Sequence, residues 1–197
     1  MRYVVRTVAW LEERRRNVDV LCESIPHLER VVDHVGDGYA NFFAACRLLH
    51  DTGGVLLEDD VLLCRRFTER LESIVAEKGV GEVISFFERP KVNLDTRYMG
   101  GASFFWAQCV YFPPGLMCEF EHNYAEFRQN RPKQWQGMAT DRLIAYTLSK
   151  LGRKYWRIRP TLVQHLPFTS AIGGRSTKRQ TPYFIDDLED ARDLQPV

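Results

Sequence analysis

Three consecutive carboxylates, Glu58-Asp59-Asp60, directly follow Val55-Leu56-Leu57, a short apolar run behind the double glycine Gly53-Gly54. Like charges side by side repel, and neither strand nor helix propensity asks for three acids there. A divalent cation removes the conflict, because Mg²⁺ and Mn²⁺ take oxygen ligands from one or two carboxylates together with the phosphates of a substrate. The plainer alternative is an acidic turn that caps a following helix, since acids favour helix amino-termini. Two other residues stand at chemically useful places. Asp141 opens a helical pattern, and His165 follows a short apolar strand.

The elements that must position these groups follow from periodicity. Tyr3 to Val8 is a β-branched run suited to a buried strand, and Glu12 to Leu21 reads as a charged helix ending before Pro26. Leu28 to Val32 is a second strand, closed by Asp33 and the turn Gly36-Asp37-Gly38, and Tyr39 to His50 is a helix with Phe42, Ala45 and Leu49 on one face. Val55 to Leu57 fits a central strand covered on both sides. Arg65 to Lys78 is helical up to Gly79, and Val83 to Phe87 returns as a strand.

Further on, Gly100 to Phe112 is aromatic and strand-like, and Pro114 to Asn130 is helix-compatible. Thr140 to Leu151 is a helix with Thr140 as N-cap, and Tyr155–Ile158 and Thr161–Gln164 are late strands. Strands alternating with helices predict an α/β fold with three layers (α/β/α) and a mostly parallel central sheet, whose ligands bind beyond the carboxyl ends of the strands.

At 197 residues, with 45% hydrophobic and 27% charged residues, one compact unit is expected, and disorder or a fibrous repeat is excluded. Its bounds are read as 1–174, with 175–197 as a tail. Charge interrupts Met1-Arg2-Tyr3-Val4-Val5-Arg6 before a signal peptide could form, and no segment is long and apolar enough to span a bilayer. A cytoplasmic protein without an integral membrane segment is the expectation. Five cysteines at wide spacings, with no Cys-x-x-Cys pair, argue for free thiols packed as small hydrophobes rather than for zinc or disulfides. The net charge of +1 conceals a basic second half. Its lysines and arginines, with Trp106, Trp135 and Trp156, would suit phosphates or nucleic acid, or else form a solvated face around packed tryptophans.

Gly54-Val55-Leu56-Leu57-Glu58-Asp59-Asp60-Val61 resembles the strand and Asp-x-Asp-type motif of GT-A glycosyltransferases, whose fold is Rossmann-like, and especially the Leu-Glu-Asp-Asp form of lipopolysaccharide-modifying enzymes of family 25. Arg159-Pro160-Thr161-Leu162-Val163-Gln164-His165, followed by Ser170-Ala171-Ile172-Gly173, is similar to that family's late strand ending in a metal-binding histidine. The resemblance implies Asp60 and His165 as ligands of Mn²⁺ or Mg²⁺, and Glu58 and Asp59 as donor contacts. Thr7, Asn41 and Arg47 would lie near the donor, with Asp33 or Asp37 on a uracil edge. Arg175, Lys178 and Arg179 would lie over the donor diphosphate, and Asp141 would be the general base, although the family's usual Glu-Asp pair is absent there. Glu88 to Gly101 has no counterpart and is expected to shape the acceptor pocket.

The activity so implied is transfer of a hexose, glucose first, from a UDP-sugar to an acceptor hydroxyl with inversion. The acceptor would be a saccharide, a lipid-linked sugar or a modified base in DNA. Two other readings fit the same residues: a metal-dependent phosphoesterase or nuclease, and a non-catalytic module that binds a nucleotide sugar.

Overall fold

The computed structural model describes residues 1–87, 96–130, 140–169 and 180–186. In chain order the elements are β1 (Tyr3–Val8), α1 (Glu12–Ser24), β2 (Glu29–Asp33), α2 (Gly38–Leu49), β3 (Gly54–Glu58), β4 (Val61–Leu63), α3 (Phe67–Lys78), β5 (Val83–Ser85), β6 (Arg97–Gly100), β7 (Cys109–Phe112), α4 (Met117–Asn130), α5 (Thr140–Lys150), β8 (Lys154–Arg157) and β9 (Val163–His165). The fold is mixed α/β, with a central sheet ordered β2-β1-β3-β7-β5-β8-β6 and a separate pair β4-β9. Strands β2, β1, β3, β5 and β8 run one way, and β7 and β6 run the other. The sheet is thus mostly parallel by strand direction, with a reversed strand at its centre.

The central strands read as continuous apolar runs because alternate side chains enter two different cores. Val5, Leu57 and Ile84 join Val18 and Leu21 of α1 and Leu71 and Val75 of α3. Val4, Leu56, Val83 and Val110 join Phe42 and Leu49 of α2, Phe120 of α4 and Leu143 of α5. The five cysteines are all free, with Cys46, Cys64 and Cys109 buried.

Parallel pairing sets the edge on which the chemistry sits. Arg6 stands opposite Glu58 and Val8 opposite Asp33, so β1, β2 and β3 all end on one side. The chain turns at Asp59-Asp60 into β4, which sequence patterning did not separate from the loop. Antiparallel β4 and β9 pair Val61 with His165, and Leu166 N–H donates to Asp60 O at 2.7 Å. The late strand therefore runs to His165 and joins β4 instead of the main sheet.

Three expectations are corrected. Gly100 to Phe112 is not one strand: β6 ends at Gly100, a 3-10 turn covers Gly101–Ser103, and β7 begins at Cys109. The third helix begins at Phe67 because Arg66 adopts a left-handed conformation, φ 56°. Part of the expected tail belongs to the core. Thr181 exchanges two backbone hydrogen bonds with the Gln164 side chain, at 2.7 and 2.8 Å, and Phe184 is buried. Apolar and amide groups with partners waiting in the core hold these residues where their sparse local pattern predicted a loop. Among the described residues, no helix is long and apolar enough to cross a membrane.

Gly54 opens β3 at φ 145°, and a Cβ there would meet Arg2 O at 2.4 Å and Leu49 Cδ2 at 2.8 Å. Gly54→Ala is expected to destabilise the fold by about 2–4 kcal/mol, because a strained backbone and a backbone clash coincide. Urea unfolding measures it, and an unchanged midpoint would show that the β1–β3 edge yields.

Candidate functional site at the carboxyl edge of the sheet

The acidic triplet meets three different environments. Glu58 is the most open, its side chain 22% accessible, with Oε1 3.5 Å from Arg6 Nη1. Burial and the neighbouring carboxylates push its pKa up to about 7, against the pull of Arg6. Asp59 and Asp60 are buried under one arginine. Arg14 Nη1 pairs with Asp59 Oδ1, and Nη2 donates to Asp60 Oδ2 at 2.9 Å. Burial raises the Asp59 carboxyl above its ordinary range despite this partner. Burial would raise Asp60 too, but the adjacent His165 imidazole and Arg14 more than offset it and hold the carboxyl low.

The first turns of α1 grip the site from one side. Arg14, Val18 and Leu21 form its buried stripe. Asn17 Nδ2 donates to Asp59 O at 2.8 Å and to Val61 O at 2.9 Å, which fixes the β3–β4 turn. Thr169, four residues beyond His165, donates from its N–H to Glu13 Oε1 at 2.7 Å, and its carbonyl accepts from Arg14 Nε at 3.1 Å.

His165 Nε2 lies 3.3 Å from Asp60 Oδ2, and the residue is 4% exposed. Despite that proximity the imidazole is not aligned to donate. Both ring nitrogens, Asp60 Oδ1 and Asp59 Oδ2 are buried without a hydrogen-bond partner among the described residues. Buried polar atoms without partners are costly, and these four belong to Asp59, Asp60 and His165. Oxygen and imidazole donors suit Mn²⁺ or Mg²⁺. Among the described residues, no three His, Cys, Asp or Glu side chains converge on a common point.

Arg6 joins the triplet to α5. It lies in β1, is buried, and donates from Nε to Asn41 Oδ1 at 3.0 Å and from Nη1 to Thr140 Oγ1 at 3.2 Å. Asn41 also donates to Val31 O at 3.1 Å, so both ends of its amide are engaged inside the fold. Thr140 opens α5 and gives its hydroxyl to Arg6. Asp141, the next residue, accepts from Ala107 N–H at 3.1 Å. Burial lifts its carboxyl above the ordinary value, and the Ala107 N–H, Arg6 and Arg142 only partly counter this.

The other expected residues divide. Thr7 is buried next to Arg6, and its hydroxyl faces Asp59 and favours the ionised carboxylate without completing a hydrogen bond. Asp33 sits at the same edge, but its Oδ1 accepts from the N–H groups of Val35, Gly36 and Asp37, and Asp37 caps α2 through Tyr39 N and Ala40 N. Arg47 is not at the site. Helix α2 starts beside the carboxyl end of β2 and runs back to the start of β3, so its last turn lies at the opposite edge, where Arg47 pairs with Glu121 at 2.6 Å.

Arg175, Lys178, Arg179 and Trp135 lie outside the described residues, as does 88–95 of the expected acceptor segment. No platform joins the other tryptophans: Trp106 packs on Phe87 and Phe105, and Trp156 lies between Tyr98 and Lys78.

Sequence reasoning missed Arg6, Arg14 and Asn17. A charged residue inside the apolar run of β1 was a signal, because strand burial demands a partner for it. Within Arg14-Arg15-Arg16, only Arg14 shares the spacing of Val18 and Leu21, which marks it as inward-facing.

No family profile matches the chain, and no curated protein matches it. Among solved structures, A197 from STIV is similar, with 11% identity over 87% of each chain and a TM-score of 0.49. A likeness at this level carries no argument about activity.

Asp141 yields a pH-dependent expectation. Its folded-state pKa is raised, so its favourable contribution to stability is complete below the ordinary value of 3.8 and lost as pH rises through the raised one. At pH 7 an amide of the same shape avoids that cost and keeps an oxygen for Ala107 N–H. Asp141→Asn is expected to raise the Tm by about 1–4 °C at pH 7, with the gain fading below pH 3.8. Calorimetry at both pH values checks it, and a lower Tm at pH 7 would mean that attraction to Arg6 dominates.

Proposed function

We propose that this chain is a metal-dependent glycosyltransferase of the GT-A type, with helices on both faces of a Rossmann-like sheet, that moves a hexose from a nucleotide sugar to an acceptor hydroxyl with inversion. One observation carries the reading. Asp60 and His165, far apart in sequence, are brought within 3.3 Å by the β4–β9 pairing, with unsatisfied ligand atoms, at the carboxyl edge of parallel strands.

Asp60 and His165 would hold Mn²⁺ or Mg²⁺, which when bound supplies a Lewis acid to the diphosphate leaving group. Glu58, Asp59 and Thr7 line the donor side, and Asp33 marks the end of β2, where the base of a UDP-sugar would lie. Arg175, Lys178 and Arg179 supply positive charge for the departing diphosphate. On the acceptor side, the Ala107 N–H orients Asp141. Its raised proton affinity suits it to accept the hydroxyl proton as the acceptor oxygen bonds to the anomeric carbon and the bond to the diphosphate oxygen breaks. The acceptor is a saccharide or a hydroxymethylated base in DNA. The sugar is glucose if the donor follows the resemblance.

Calorimetric titration with UDP, GDP and CDP, with and without Mn²⁺, tests the donor site. Manganese-dependent binding of UDP, lost in Asp60→Ala, is the expected result. No nucleotide binding under any condition would sink the reading, and phosphodiester hydrolysis in its place would identify a phosphoesterase. Asp141→Asn is expected to lower turnover by about 10²–10⁴-fold while leaving UDP binding intact. Near-normal turnover in that variant would require another base or a retaining mechanism.

A further inference from the structure

The Arg14 guanidinium occupies the position from which a cation would otherwise neutralise the acidic pair. It engages Asp59 Oδ1 and Asp60 Oδ2 together, is 7% exposed, and spends its Nε on Thr169 O. Asp59 and Asp60 are 1% and 6% exposed. Without a counter-charge they would be two adjacent carboxylates in a dry site, an arrangement that proteins avoid. Arg14 thus makes the acidic pair tolerable before any cation arrives. It takes one oxygen of Asp60 and leaves Oδ1 without a partner.

We propose that Arg14 is a positioning residue that acts as a built-in counter-ion: it holds Asp60 and His165 ready while keeping their affinity for a free divalent cation low, so that the cation binds tightly only together with a nucleoside diphosphate. This rests on the glycosyltransferase reading and adds the order in which its site fills. With two protein ligands and a guanidinium already on the carboxylates, a bare cation gains little. The ligand atoms of a diphosphate are needed to complete its coordination. Attraction between Arg14 and the phosphates adds to the same preference.

The test measures Mn²⁺ binding alone, by the electron paramagnetic resonance signal of the free ion, in the intact chain and in Arg14→Gln and Arg14→Lys. The intact chain is expected to bind Mn²⁺ weakly without UDP and more tightly with it. Arg14→Gln removes the counter-charge and is expected to bind Mn²⁺ alone at least about tenfold more tightly, because one unit charge at contact distance shifts an ionic equilibrium by that much or more. Its Tm falls without Mn²⁺ and recovers when Mn²⁺ is added. Arg14→Lys keeps the charge but not the two-pronged contact, so its affinity lies between the two.

A merely structural arginine would instead give variants that bind Mn²⁺ no better than the intact chain, and that result overturns the inference while leaving the donor site standing. If Arg14→Gln folds only with Mn²⁺ present, the cation has replaced the counter-ion, as proposed. If it fails to fold in both conditions, Arg14→Lys decides, and affinity for Mn²⁺ at or below that of the intact chain overturns the inference. Absence of Mn²⁺ binding in every protein, with and without UDP, overturns the inference and the glycosyltransferase reading together.

Discussion

Two adjacent aspartates at the end of a buried strand can be ionised only if positive charge reaches both, and the structure meets that demand with one guanidinium on the first turn of α1. Much else follows from it. Arg14 can reach Asp59 and Asp60 only while α1 lies against the β3–β4 turn, and Asn17, one turn later, bonds the two carbonyls that shape that turn. Thr169 is held by Glu13 and Arg14 in the same place, which ties the chain beyond β9 to the acids. Burial of the pair costs several kcal/mol per ion if left unpaired. The docking of α1, the turn and the late segment is therefore one electrostatic unit rather than three separate contacts.

The second consequence concerns the short β4–β9 pair. Its register puts His165 opposite Val61 and beside Asp60, while the Gln164 side chain faces away and secures Thr181. A strand of three residues could not hold such a register by itself. It is fixed from both ends, by the Leu166–Asp60 backbone hydrogen bond on one side and by burial of Val163 and Phe184 on the other. The unsatisfied imidazole thus stands in a rigid setting.

Arg6 plays the corresponding part on the other half of the edge. It spans β1, the start of α2 and the start of α5, and its positive charge acts on both Glu58 and Asp141. The carboxyls keep distinct proton affinities because their surroundings differ: partial burial and neighbouring carboxylates raise Glu58, whereas the adjacent His165 and Arg14 hold Asp60 low. Proton affinities of neighbouring carboxyls driven apart in this way are a common feature of functional sites.

The amino-acid sequence by itself determined the strand and helix order of the first half, the buried character of β1 and β3, the placement of the acidic triplet at a strand end and the helix opened by Asp141. Each of these depends on local periodicity or turn chemistry, which a chain carries in its neighbouring residues. Pairings between distant segments were decided only in three dimensions. Local spacing can mark Arg6 and Arg14 as inward-facing, but it does not name their partners: Arg14 with Asp59 and Asp60, Arg6 with Asn41 and Thr140, β4 with β9, and residues 181–186 with the core. Asn41 and Arg47 show why: both lie on one predicted helix, yet the hydrogen bonds of one are consumed by Arg6 and Val31, and the other is carried to the far edge of the sheet. A residue's type states what chemistry it can do, but desolvation and the partners brought to it by the fold decide whether it is free to do it.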